Sequence, residues 1–305
     1  VKLGNFKRWR LSGLLMLVAV LTAAQQATPP CQQCAEWNRP QAPFRIFGNT
    51  YYVGPHGLSS ILIASPAGHI LIDGDLPESA DQIMAHIRSL GFRVEDVKLI
   101  LNSHVHFDHA GGIAELQKRS GARVMASEWS LGVMKKGGVG RGDPQFGALR
   151  PLAPVKNLHV VHDGENLTVG GIVVTAHLTP GHTPGGTSWT WKSCEDEVCR
   201  NMVYADSLTP VSAKGFQFTK SHEYPHALED FETSFRFLEN TPCDILLTAH
   251  PDVSALWDRR EARGRGTIPD PMVNAGACRE LAQQGRERLR QRLAEESMQR
   301  AKKSN

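Results

Sequence analysis

The chain has 305 residues, 41% of them hydrophobic and 21% charged, a balance that fits a globular protein and excludes a collagen-like or largely disordered chain. The formal net charge is +3, with Lys2, Lys7, Arg8 and Arg10 all in the first ten residues. Without those four cations the charge is about −1, which gives no electrostatic reason to expect nucleic acid as a partner.

The basic start runs into an apolar stretch over residues 11–24 that ends in the small residues Thr22, Ala23 and Ala24. This order reads as a secretory signal, residues 1–28, removed on export to the periplasm, with no stable membrane association afterwards. An uncleaved anchor is the alternative, but the stretch is short beside the ~20 residues that span a bilayer. Residues 29–44 continue a Gln-, Pro- and Ala-rich segment and read as an N-terminal arm. Residues 45–305 read as one domain that includes a C-terminal helix.

Strands are expected at 51–53, 59–64 and 69–72, broken by Gly54-Pro55 and by Pro66-Ala67-Gly68. A helix follows over 77–90, with Ile83, Ile87 and Leu90 at helical spacing and Gly91 as its stop. Residues 97–101 are nearly all apolar and read as a buried strand. A second helix covers 112–119, and 129–154 reads as irregular and rich in Gly and Pro. In the second half, strands are expected at Val160, 167–169, 172–177, 189–191, 202–204 and 244–247. Helices are expected over 228–239 and 278–301, the latter with Leu281, Leu289 and Leu293 on one face. Strands and helices in both halves favour a layered α/β arrangement, with a cleft where loops of the halves meet.

Six cysteines suit an exported protein and fall in three local groups: Cys31 with Cys34, Cys194 with Cys199, and Cys243 with Cys278. Many other pairings are open. Behind a signal segment, and without a surrounding βαβ unit, the CxxC at 31–34 reads as structural rather than redox-active.

The strongest chemical signal is Asn102-Ser-His-Val-His-Phe-Asp-His109, directly after the buried strand. His104 and His106, one residue apart on extended backbone, point the same way and can grip one metal. Asp108 and His109 lie on the turn beyond and can face a second. Imidazole and carboxylate are suitable zinc ligands. His182, in Pro180-Gly-His-Thr-Pro-Gly-Gly186, and His250, in Thr248-Ala-His-Pro251, also follow expected strands. His69, His86, His159, His162, His177, His222 and His226 lack such a context and read as surface or core residues.

HxHxDH with the downstream Gly-His and Ala-His-Pro resembles the metallo-β-lactamase superfamily over residues 45–260. Tyr51-Tyr-Val-Gly54, Pro180-Gly-His-Thr-Pro-Gly185 with Trp189-Thr-Trp191, Tyr204-Ala-Asp-Ser-Leu208 and His250-Pro251 narrow the resemblance to class B, subclass 3 β-lactamases. Asp143-Pro-Gln-Phe146 and the Cys194/Cys199 loop resemble certain members of that subclass.

The resemblance implies an α/β fold, a four-layer αβ/βα sandwich with a dinuclear zinc site at the sheet edge. It implies two Zn2+ per chain: His104, His106 and His182 on the first, and Asp108, His109 and His250 on the second. Asp73 matches the superfamily's buried acidic residue beside the metals. Ser207 stands where the other two subclasses carry a cysteine ligand. The implied reaction is hydrolysis of the β-lactam amide by a metal-bound hydroxide that Asp108 orients. Ser207, Thr209 and Gln145 would hold the substrate, a small-molecule antibiotic, in a monomeric enzyme. Cys243 and Cys278 resemble a disulfide common in the subclass. His56 stands near where some relatives have a cysteine that pairs with the arm, so the partners of Cys31 and Cys34 stay open. Two other readings remain. A lactonase or thioesterase of this fold would use Asp206 to bridge the metals; a non-catalytic zinc-binding protein would need no open coordination position.

Overall fold

The computed structural model describes residue 1 and residues 31–304; the expected signal segment, but for residue 1, lies outside the described residues. Among the described residues, twelve strands form two sheets. The first holds, in spatial and sequence order, β1 (Phe44–Phe47), β2 (Thr50–Tyr52), β3 (Ile61–Ile63), β4 (His69–Ile72), β5 (Val97–Leu101), β6 (Arg123–Ala126) and β7 (Leu158–Val160). The second holds β8 (Asn166–Val169), β9 (Ile172–Leu178), β10 (Thr187–Glu195), β11 (Val198–Ala205) and β12 (Ile245–Thr248), in the order β12-β11-β10-β9-β8.

The strands read as apolar runs because both of their faces are covered. Side chains alternate across a strand. In β4, Ile70 and Ile72 enter the core between the sheets, while Leu71 packs under the helices of the first half. In β5, Leu99 and Leu101 face inward and Ile100 outward. The second sheet mirrors this: Met202, Tyr204, Ile245 and Leu247 face the first sheet, and Val203, Ala205 and Leu246 face helices Ala227–Asn240 and Ala277–Ser304. Helix, sheet, sheet and helix stack in four layers, as expected.

Several elements depart from the sequence reading. Residues 129–154 are not uniformly irregular, since a helix runs over Glu128–Lys136. Ser127 caps it by accepting from the Ser130 amide, and Gly137 stops it at φ 82°. Only Ser130, Val133 and Met134 are buried there, and Gly132 interrupts the pattern. Helix Leu256–Gly264 was not anticipated either; Leu256 is its one buried residue, too little for an apolar stripe. The expected strands at 189–191 and 202–204 are the inner parts of a longer hairpin, β10–β11, closed by Cys194–Cys199. The first strand starts at Phe44, one residue inside the expected arm, and β6 was not expected.

The six cysteines join as Cys31–Cys34, Cys194–Cys199 and Cys243–Cys278. The last ties Cys243, two residues before β12, to the first turn of the C-terminal helix. Among the described residues no helix is long and apolar enough to cross a membrane.

Strand direction positions the site. β4 and β5 are parallel, and β11 and β12 are parallel. β9 runs with β11, because both are antiparallel to β10. The carboxyl ends of these strands open on one edge of the sandwich, where loops can converge on a ligand.

Candidate metal centre

Leaving β5, the chain is fixed before it reaches its first histidine. The buried Asp73 carboxylate accepts hydrogen bonds from the Ser103 amide (2.7 Å) and hydroxyl (2.6 Å), from Asn102 Nδ2 (3.3 Å) and from the Tyr204 hydroxyl (2.8 Å). Tyr204 comes from the other sheet, so this clamp also joins the halves. Burial raises the Asp73 pKa above the usual carboxylate value, against the lowering pull of His109 and Ser103. Asp73 therefore shapes the turn and makes no contact of its own with the ligand groups described next.

After the turn, His106 is extended (φ −79°, ψ 154°) and caps a short helix, Phe107–Ala110. Its first turn carries Asp108 and His109, which places them to one side of the His104/His106 pair. The loop after β9 supplies His182, and the residues after β12 supply His250.

These six side chains assemble in two groups. The potential ligand atoms of His104, His106 and His182 lie within 4.8 Å of one another, and so do those of Asp108, His109 and His250. The groups adjoin, with the His104 and His109 ring centres 4.4 Å apart. Asp108 Oδ2 is 3.3 Å from His109 Nε2 and 3.5 Å from His250 Nε2.

The outward nitrogen of four of the five imidazoles is engaged elsewhere. His104 Nδ1 pairs with Asp206 Oδ1 (2.6 Å), and His106 Nε2 with the Asp143 carboxylate (3.1 Å). His182 Nδ1 donates to the Thr209 carbonyl (2.7 Å), and His250 Nδ1 to the Gly57 carbonyl (3.2 Å). Such contacts fix the tautomer and turn the other nitrogen's lone pair inward, as metal-binding imidazoles require. His104 Nε2 is buried and has no hydrogen-bond partner. A buried polar atom of this kind costs free energy unless something binds it.

The electrostatics agree. Burial, reinforced by repulsion from His109, His106 and His182, holds His104 well below the usual imidazole pKa. Burial and His106 push His182 down to about 3. Burial works to raise Asp108, but the His109 and His250 imidazoles outweigh it and hold that carboxyl well below the usual range. Five imidazoles and an ionised carboxylate converging in two groups are the donor set that a zinc-type metal takes.

The cleft above the groups is lined by all three residues expected to meet substrate, Gln145, Ser207 and Thr209, with Trp37, Phe107 and Leu208 among its walls. Gln145 Nε2 stands 3.3 Å from His106 Nδ1 and 3.5 Å from His182 Nε2. The reading in which Asp206 bridges two metals does not match this geometry. Asp206 Oδ1 lies against the outward nitrogen of His104, so it acts through that ring.

The Asp143 carboxylate and the Gly57 carbonyl were not anticipated as supports. For Asp143 the signal was present in Asp143-Pro-Gln-Phe146: its carboxylate also accepts from the Gln145 amide (2.7 Å), linking one metal-facing ring to one cleft residue. Trp37 was assigned only to the arm, yet its ring centre is 5.3 Å from that of His250.

The family model described as the metallo-β-lactamase superfamily matches residues 53–195. Among solved structures, the Rm3 metallo-β-lactamase is 56% identical, with a TM-score of 0.86, covering 88% of this chain and all of that one. MEM-A1, a subclass B3 metallo-β-lactamase isolated from a soil metagenome library, is 52% identical, with a TM-score of 0.84, covering 86% of this chain and 99% of that one. A hydroxyacylglutathione hydrolase of Rhodopseudomonas palustris (strain BisB5) is more distant, 28% identical over 223 residues, which are 68% of this chain and 76% of that protein. The chain belongs to the metallo-β-lactamase superfamily, in its subclass B3 branch.

Proposed function

We propose that this protein is a zinc-dependent β-lactamase, which opens the amide of β-lactam antibiotics and so confers resistance to them. The observation that carries the reading is the pair of adjoining ligand groups on the floor of a cleft lined by Gln145, Ser207 and Thr209. Two zinc ions per chain fit the two groups. His104, His106 and His182 would hold one, and Asp108, His109 and His250 the other. A zinc pair supplies Lewis acidity, which brings water to ionisation at about pH 7 and polarises a carbonyl.

The chain's own residues do the rest. Asp108 is held ionised, and an oxygen of its carboxylate can accept a hydrogen bond from the attacking water and orient it. The Gln145 amide can donate to the lactam carbonyl oxygen, and the Ser207 and Thr209 hydroxyls to the substrate carboxylate. Trp37, Phe107 and Leu208 limit water around the reacting bond. Asp206 and Asp143 hold His104 and His106 in place throughout.

Export to the periplasm belongs to the same reading, supported by the basic and apolar N-terminus and by three disulfides; the protein would act as a monomer. Intact mass of the exported protein, before and after reduction, should show loss of a segment ending near residues 24–28 and six thiols appearing only on reduction.

The deciding assay compares nitrocefin with a thioester, with and without a chelator. Nitrocefin turnover that chelation abolishes and zinc restores is the expected result, alongside two zinc equivalents by metal analysis. Thioester turnover without nitrocefin turnover would overturn the reading.

A further inference from the structure

The C-terminal helix does more than cover the second sheet. It brings one arginine to the wall of the cleft. Leu281 and Arg288 both line it and lie two helical turns apart, on one face. Between them sits Gly285, in mid-helix, where glycine costs about 1 kcal/mol relative to alanine. A methyl group there would stand 2.6 Å from the Phe235 ring and 3.3 Å from Leu208 Cβ. The absence of a side chain at 285 lets the helix settle on Leu208, the residue between Ser207 and Thr209. Arg288 follows Gly285 by three residues and lines the same cleft as that pair.

Charge sets Arg288 apart. It is the one lysine or arginine among the described residues lining the cleft. Its neighbours on the helix are occupied. Arg286 binds Glu232 and Glu239, Arg290 binds Glu287, and Arg292 binds Glu296 and Ser212. Arg288 is exposed and, among the described residues, makes no such pair. A guanidinium recognises a carboxylate with two parallel hydrogen bonds, a geometry that lysine lacks.

We infer that Arg288 is a specificity-determining residue, which receives the carboxylate that a β-lactam carries next to its ring nitrogen. The inference rests on the β-lactamase reading. Ser207 and Thr209 supply neutral donors to that carboxylate; Arg288 supplies the charge, and with it a preference for the anionic substrate over its uncharged ester.

The test measures kcat and KM for nitrocefin and for its methyl ester in the parent, Arg288→Ala, Arg288→Lys and Arg290→Ala. The parent should favour the acid over the ester by about tenfold in kcat/KM, the discrimination expected of a charged hydrogen bond. Arg288→Ala should lose this preference chiefly through a higher KM for the acid. Arg288→Lys should keep part of it, and Arg290→Ala all of it. In the parent the preference should shrink as salt is raised, and in Arg288→Ala it should not respond. Equal discrimination by the parent and Arg288→Ala, with both active on nitrocefin, would overturn the role of Arg288 and leave the β-lactamase reading standing. A parent inactive on both substrates would overturn the two together.

Discussion

The two ligand groups are built differently. In the first, His104, His106 and His182 are almost fully buried, and carboxylates stand behind two of the three rings. In the second, the His250 side chain is 27% exposed, its outward nitrogen rests on a backbone carbonyl, and its ring leans on Trp37 from the N-terminal arm. A carboxylate behind an imidazole raises its basicity and fixes its orientation. The first group is thus a closed cage with carboxyl groups behind it. The second carries its negative charge on a ligand, Asp108, and opens to the cleft. The difference predicts a division of labour: a metal in the first group would be held the more firmly, and one in the second, which opens to the cleft, would exchange the more readily.

The largest effect that can break this comparison is stepwise metal removal. During titration with a chelator, one zinc equivalent should leave well before the other, and β-lactam turnover should fall at least a thousandfold once both are gone, a magnitude typical of lost metal-assisted catalysis. His250→Ala should abolish the early step, and His182→Ala the late one. Loss of both equivalents in a single step would erase the distinction.

Asp206→Asn comes next. It keeps the side chain's shape but replaces the carboxyl that pairs with His104 Nδ1, and supports of this kind are worth about 10–100-fold in metal affinity or activity. Metal analysis should show the tighter equivalent weakened and the weaker one kept. Asp143→Asn should do the same through His106. A variant that loses the weaker equivalent first would mean that Asp206 serves the second group after all.

The smallest expected effect sharpens the picture of the cleft. Ser207→Ala removes one neutral donor, worth about 1 kcal/mol, so KM for β-lactams should rise roughly fivefold with little change in kcat. Lowered zinc content in this variant would move Ser207 from the substrate to the metals.

The six ligand-type residues were legible in the sequence because four are packed into HxHxDH, and the others follow apolar strands in Gly-His and Ala-His-Pro. A layered α/β arrangement was legible because residues 97–101 and 244–247 read as buried apolar strands between expected helices, and the resemblance sharpened it to four layers. Which ring each support meets was not legible. Asp206 meets His104 across 102 residues, Asp143 meets His106 across 37, and Gly57 meets His250 across 193. No local pattern records which nitrogen of a ring finds which carboxylate. Helix Leu256–Gly264 escaped for a different reason: charged residues dominate it, and tertiary packing rather than an apolar stripe keeps it in place. Helix Glu128–Lys136 was hidden by glycine in its middle.

The two halves also set the order of events in folding. His104, His106, Asp108 and His109 follow β5 in the first half, whereas His182 and His250 come from the second. Each metal cage is complete only when the sheets have docked, the moment at which Tyr204 reaches Asp73 across the core. A chain emerging from its N-terminus carries four of the six ligands long before the other two exist, and those four form neither cage. Since binding free energy is realised only in the assembled site, metal acts late and stabilises the finished sandwich without guiding the early chain. Metal uptake can therefore serve as a clock that starts when the halves close, timing the last tertiary step of a fold whose long-range pairings are its slow part.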